Sequence, residues 1–247
     1  MSKYVRVKDK QDGRDHKYKT TSSIILPRIV DLRANCSPVE DQGDLGSCTG
    51  NAIVGALEYL ENTQQEEPVR LSRTFVYFNE RLLEHTINQD AGAAIRDGIK
   101  VVATYGACVE KLWPYDIKAF KNKPSDAAYA DALKRKALTY QNLDQTEEAL
   151  THCLAHNRPI VFGIVVYSSF ESDAVAKTGI VPMPKAHEKN MGGHAVLIVG
   201  YDLDKRMFLV RNSWGPKWGD HGYFWLPFDF VLNPDLADSF WTISKIM

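Results

Sequence analysis

The spacing of apolar residues along this chain changes once, near Asn157. Before it, they recur at helical intervals. Ile53, Leu57 and Leu60 share one face of Thr49 to Glu61, which predicts a helix with Cys48 at its start. Phe75, Phe78 and Leu82 predict a second helix over 72–84. Ile95, Ile99 and Val102 predict a third over 93–104, stopped by Tyr105 and Gly106. Ser125 and Thr146 have the short oxygen side chains that cap helices, and the helix after Thr146 would pack Leu150 and Leu154. After Asn157 the runs shorten and fill with Val, Ile and aromatic residues. Ile160 to Tyr167, Ala195 to Tyr201, Met207 to Arg211, Gly222 to Leu226 and Phe240 to Ile246 read as strands. The expectation is an α+β protein of two lobes, helical over 25–120 and strand-rich over 121–247, with the polar stretch from Lys121 to Ala130 connecting them. Residues 1–24 are polar and predict a loose arm.

Composition narrows the partners. Thirty basic and thirty-one acidic residues leave a net charge of −1, so nothing favours nucleic acid or an anionic membrane as partner. The N-terminus lacks the apolar core of a signal peptide, and the longest apolar run, Pro159 to Tyr167, is too short to span a bilayer. The expected location is cytoplasmic, or outside after export without a cleavable signal, and the expected state is a monomer. The spacing of Cys36, Cys48, Cys108 and Cys153 demands no pairing, which suits a reducing compartment. His152 and His156 stand at the interval that can hold zinc on a helix. No further ligand pair accompanies them, so a solvated helix face is expected and no metal. The glycines from Gly92 to Gly98 lack the Gly-Lys-Ser/Thr ending of a phosphate loop.

The candidate chemistry lies in three separated segments. Cys48 ends a loop that carries Gln42, His194 follows Gly192 and Gly193, and Asn212 opens Asn212-Ser213-Trp214-Gly215. A thiol attacks as thiolate and so needs a base or a cation beside it. An imidazole serves as both when a third group fixes its orientation. A helix start behind the sulfur further favours the anion. With the thiol in the helical lobe and its partners in the other, the site would form a cleft, which suits an extended peptide.

These segments resemble the papain family of cysteine peptidases. Gln42-Gly43-Asp44-Leu45-Gly46-Ser47-Cys48, Gly192-Gly193-His194-Ala195-Val196 and Asn212-Ser213-Trp214-Gly215-Pro216-Lys217-Trp218-Gly219 carry the likeness. Leu71-Ser72 and Trp113-Pro114-Tyr115 agree with it. The resemblance implies a two-lobe fold with a barrel-like second lobe. It implies that Cys48 attacks the carbonyl, His194 shares and delivers the proton, and Asn212 orients the imidazole. Gln42 and the Cys48 N–H would bind the oxyanion, Trp214 would shield the Asn–His contact, and Trp218 would border the cleft. No cofactor is implied. Gly92 and Ala93 would pair with substrate backbone. Ala94, Ile95, Gly163 and Gly192 would line a roomy second subsite beside Gly193, for a bulky apolar residue at the second position before the cleaved bond. Leu45 stands where many relatives have a disulfide cysteine and Thr49 where most have Trp, and residues 1–24 are expected to be all that stands in for the family's long proregion. The alternatives are a thiol acyltransferase, deamidase or isopeptidase acting on one partner protein, or an inactive peptide-binding homologue.

Overall fold

The computed structural model describes residues 4–10, 12–20, 24–64 and 68–247. After the arm comes a short strand, β1 (Ile29–Asp31), and then helices α1 (Cys48–Gln64), α2 (Arg73–Leu83), α3 (Ile95–Thr104) and α4 (Asp126–Ala132). Strand β2 (Ala137–Asn142) and helix α5 (Glu147–Ala155) lead to β3 (Ile160–Tyr167), α6 (Asp173–Thr178), β4 (Asn190–Asp202) and β5 (Met207–Arg211). Strand β6 (Tyr223–Pro227), helix α7 (Phe228–Val231) and strand β7 (Ala237–Ile246) complete the chain.

The capping residues act as their chemistry predicts. Ser72 Oγ accepts from Phe75 N at 3.1 Å, Ser125 Oγ from Ala128 N at 3.2 Å and Thr146 Oγ1 from Ala149 N at 3.2 Å. Helix α1 differs from its one-sided pattern, since every residue from Cys48 to Glu61 is buried. It lies between α2 and α3 on one side and β4 and β7 on the other, so even its polar positions are enclosed. Glu58 is answered there by the Leu71 N–H at 2.8 Å and by Ser37.

The strands form one open, seven-stranded antiparallel sheet in the order β2-β7-β3-β4-β5-β6, with β1 beside β4. It does not close, which corrects the barrel-like expectation. The polar stretch read as a connection between lobes runs into α4, which starts at Asp126 and ends past it at Ala132.

The arm is the larger departure. Of residues 1–24, positions 1–3, 11 and 21–23 lie outside the described residues. Parts of the rest are docked on the molecule. Val5 bridges Gly193, Val7 bridges Ala94 and Lys17 bridges Asn142. Tyr18 is buried, with its hydroxyl 2.8 Å from His152 Nδ1. The helix face expected to be solvated at His152 is therefore covered, and its ring is 4.3 Å from that of His156. No group of three or more potential metal ligands occurs among the described residues.

Candidate active site

The site is assembled where the start of α1 meets β4 and the loop after β5. Cys48 is the first residue of α1 and fully buried. Gln42 comes from the loop before it. His194 lies within β4, which starts earlier than its apolar run because Gly192 and Gly193 pair with Val166 and Val165 of β3. Asn212 follows β5 directly. Gln42, His194 and Asn212 are all buried.

Their contacts define a geometry. His194 Nε2 lies 2.9 Å from Asn212 Oδ1, which fixes the rotation of the ring. Asn212 Oδ1 also accepts from Ser213 N at 2.9 Å. Trp214 stacks on the imidazole with ring centres 5.2 Å apart and covers it from solvent. Trp218 abuts Trp214 edge-on at 5.0 Å and stacks on Phe170 at 5.4 Å. Gln42 is locked from both ends, its Nε2 donating to Leu45 O at 2.9 Å and its Oε1 accepting from Ser213 Oγ at 2.5 Å. A primary amide has two N–H donors, and the second is the one an oxyanion would use. Leu45, with no sulfur to pair, is 2% exposed and shapes the loop by burial.

Burial pushes the Cys48 thiol up to about 11, against the nearby Ala195 backbone N–H, which favours its anion. Behind the thiol, Thr49 Oγ1 donates to Glu80 at 2.7 Å, and burial raises the Glu80 carboxyl to about 8. Thr49 therefore joins a buried polar pair where most relatives have an indole.

The residues expected to bind substrate are already occupied by the arm. Arg6 N donates to Gly193 O at 3.2 Å and Val7 N to Ala93 O at 3.1 Å. Gly92, at φ 68°, adopts a left-handed conformation and leaves no room for a side chain, since a Cβ would lie 2.1 Å from Val5 O. Gly163 is equally crowded, with 2.2 Å between a Cβ and Arg6 Cζ. Tyr4 lies against Gly192, meets Trp214 edge-on at 6.0 Å and hydrogen-bonds Glu171. Ala94 pairs with Val7, and Ile95 is fully buried at the start of α3.

The sequence reading missed Tyr4, Arg6, Glu171, Asp90 and Asp238. Asp90 accepts from Gly46 N at 3.1 Å and from Tyr77 OH at 2.5 Å, and so braces the loop before Cys48. None of these belongs to a local motif. The one available signal was the valine alternation at Val5 and Val7, a strand-like pattern in an otherwise polar arm.

The family model for papain family cysteine proteases matches residues 26–230. An uncharacterized peptidase C1-like protein of Acanthamoeba polyphaga mimivirus is 41% identical, over 97% of this chain and 86% of its own. Chymopapain of Carica papaya is 26% identical, over 86% of this chain and 57% of its own. Among solved structures, xylellain, a cysteine protease from Xylella fastidiosa, is 40% identical with a TM-score of 0.90, covering 100% of this chain and 97% of that one.

Proposed function

Since this chain belongs to the papain family of cysteine proteases, we propose that it is an endopeptidase with Cys48 as nucleophile and His194 as its acid–base partner. The observation that carries this reading is the buried set of Gln42, Cys48, His194 and Asn212, with the imidazole held by Asn212 at 2.9 Å. Cys48 attacks the scissile carbonyl and His194 protonates the leaving amine, giving a thioester that water then hydrolyses. The developing oxyanion takes the Cys48 N–H and the free donor of Gln42. Gly92 and Ala93 offer backbone groups to an extended peptide, as a strand edge does. At the second subsite the walls expected from Ala94, Ile95, Gly163 and Gly192 suit the bulk of a long side chain. The substrate is a peptide or protein segment, and no cofactor takes part.

The arm occupies that groove, so substrate enters only after Tyr4 to Val7 leave it. The test is incubation of the full chain and of Arg6→Ala with an unstructured protein. Fragments are expected, faster from Arg6→Ala, and none from the same chain carrying Cys48→Ala. Fragments that persist after loss of Cys48 would overturn the assignment. Release of ammonia without fragments would favour a deamidase.

A further inference from the structure

The Leu45–Gly46 peptide, just before the nucleophile, is held at both of its ends. Its carbonyl accepts from Gln42 Nε2 at 2.9 Å, the same amide whose second N–H an oxyanion would use. Its N–H, on Gly46, donates to both oxygens of Asp90, each at 3.1 Å. Asp90 Oδ1 also accepts from Tyr77 OH at 2.5 Å, and the Tyr77 oxygen accepts from Gly92 N at 3.1 Å. These contacts join into one chain. It runs from Gly92, on the edge offered to an extended peptide, through Tyr77, Asp90 and the Leu45–Gly46 peptide to the Gln42 amide. A trans peptide is planar, with its N–H and C=O pointing opposite ways, so holding the N–H also aims the carbonyl.

The members of this chain are fixed from behind. Tyr77 is fully buried on α2. Gly50 lets α1 come close to it, since a Cβ there would meet Arg73 O at 2.8 Å and Tyr77 Cβ at 3.4 Å. Arg81, also fully buried, holds its guanidinium 4.3 Å from the centre of the Tyr77 ring. Arg81 Nη1 donates to Ile87 O at 2.9 Å and to Gln89 O at 3.2 Å, which fixes the loop that delivers Asp90. Burial and the neighbouring Asp90 raise the Tyr77 phenol well above its ordinary value, so the hydroxyl keeps its proton and its direction. All four cysteines are free, so these bonds tie the loop where a disulfide does not.

We propose that Tyr77 and Asp90 are positioning residues for the oxyanion donor: they set where the Gln42 amide stands relative to the backbone that binds substrate. Both act through the Leu45–Gly46 peptide. A carbonyl seated along the Gly92 edge then arrives with its oxygen at the Gln42 donor. Misplacing such a group by about 1 Å costs up to ~10²-fold in rate. The inference rests on the peptidase reading above for its substrate.

The test uses the full chain carrying Arg6→Ala, so that the groove is open, with Tyr77→Phe or Asp90→Ala added. Tyr77→Phe removes one oxygen and keeps the ring, and Asp90→Ala removes the acceptor. Two rates are compared: kcat on a peptide, and alkylation of Cys48 by iodoacetamide, a small reagent that needs neither the groove nor the oxyanion donor. Each variant should lower kcat by ~10-fold or more relative to the iodoacetamide rate, with KM moving by less than ~3-fold. Asp90→Asn, which keeps one acceptor oxygen for Gly46, should recover part of the loss. A relative fall of that size in either variant supports the proposal. A smaller one in both overturns it, as does an equal loss of both rates, which would mean general damage to the centre. If the parent chain cleaves no peptide, the peptidase reading fails and a peptidyl chloromethyl ketone becomes the probe. Its methylene carbon bonds to Cys48, chloride leaves, and its carbonyl oxygen takes the oxyanion site. The same relative loss of that reaction sustains the positioning role alone, and no such loss sinks it too. Cleavage by every variant at the parental rate sustains the peptidase and overturns the positioning role.

Discussion

The catalytic centre and the arm above it touch, yet they are held in different ways. Gln42, Cys48, His194 and Asn212 sit on a helix start, a central strand and two loops braced by backbone hydrogen bonds, among them Gln42 N to Ser213 O at 2.9 Å and Asn212 N to Gly222 O at 3.0 Å. Among the described residues, the arm over the cleft makes backbone bonds from Arg6 and Val7, and its side chains add Tyr4 on Glu171, Arg6 on Asp238, and Asp9 under the Trp241 N–H at 2.8 Å and the Arg96 N–H at 3.0 Å. Elements with few buried contacts open at lower free energy than the core. The arm can therefore leave while the centre stays assembled, and closure and catalysis are separable by mutation.

The largest expected effects test the centre. His194→Ala should lower kcat/KM by at least ~10³-fold, read by peptide turnover, because the thiol loses its proton acceptor. Gln42→Ala should cost ~10²–10³-fold in kcat, the usual loss for one oxyanion donor, with a smaller change in KM. If both variants instead changed only KM, the centre would be a binding surface.

Arm variants should act in the opposite direction. Arg6→Ala removes one partner of a buried ion pair and should raise the rate of Cys48 alkylation by at least ~10-fold at neutral pH. The pH dependence has a definite sign. With the arm in place burial holds the thiol at about 11, so alkylation should keep rising with pH toward that value. In Arg6→Ala two effects oppose: loss of the guanidinium raises the thiol, while departure of the arm relieves burial, the largest cause of the upward shift, so the rise should level off at lower pH. Identical profiles would mean that the arm does not control the sulfur.

The smallest effect concerns Glu80, behind the thiol. Its carboxyl is raised from 4.5 to about 8 by burial, so between these values the folded chain holds a proton the unfolded chain has lost. Stability linked to Glu80 is thus present below pH 4.5 and is lost as pH rises through 8. Tm should fall from pH 6 to 9, and Glu80→Gln should flatten that fall by a few degrees. An unchanged slope would mean the acid ionises freely.

The same contrast explains what the sequence made legible. The centre lies in three short segments whose spacing can be read locally, and β3 and β5 run as their apolar patterns predicted. Apart from the Val5 and Val7 alternation the arm was unreadable, because many of its anchors are single side chains meeting distant partners, as with Arg6 and Asp238, 232 positions apart. Polar composition predicted looseness, and individual hydrogen bonds overruled it. Strand β2 was missed for a related reason, since Leu138 and Thr139 face solvent and break the expected alternation. His152 was misplaced because the arm that buries it had been read as free.

Mass spectrometry of the Arg6→Ala chain with a peptide-addressed thiol electrophile tests the central claim most directly. One addition is expected, at Cys48, and none when His194→Ala is added to the same chain. Addition at Cys36, Cys108 or Cys153, or addition at Cys48 that is indifferent to His194, would contradict the assignment.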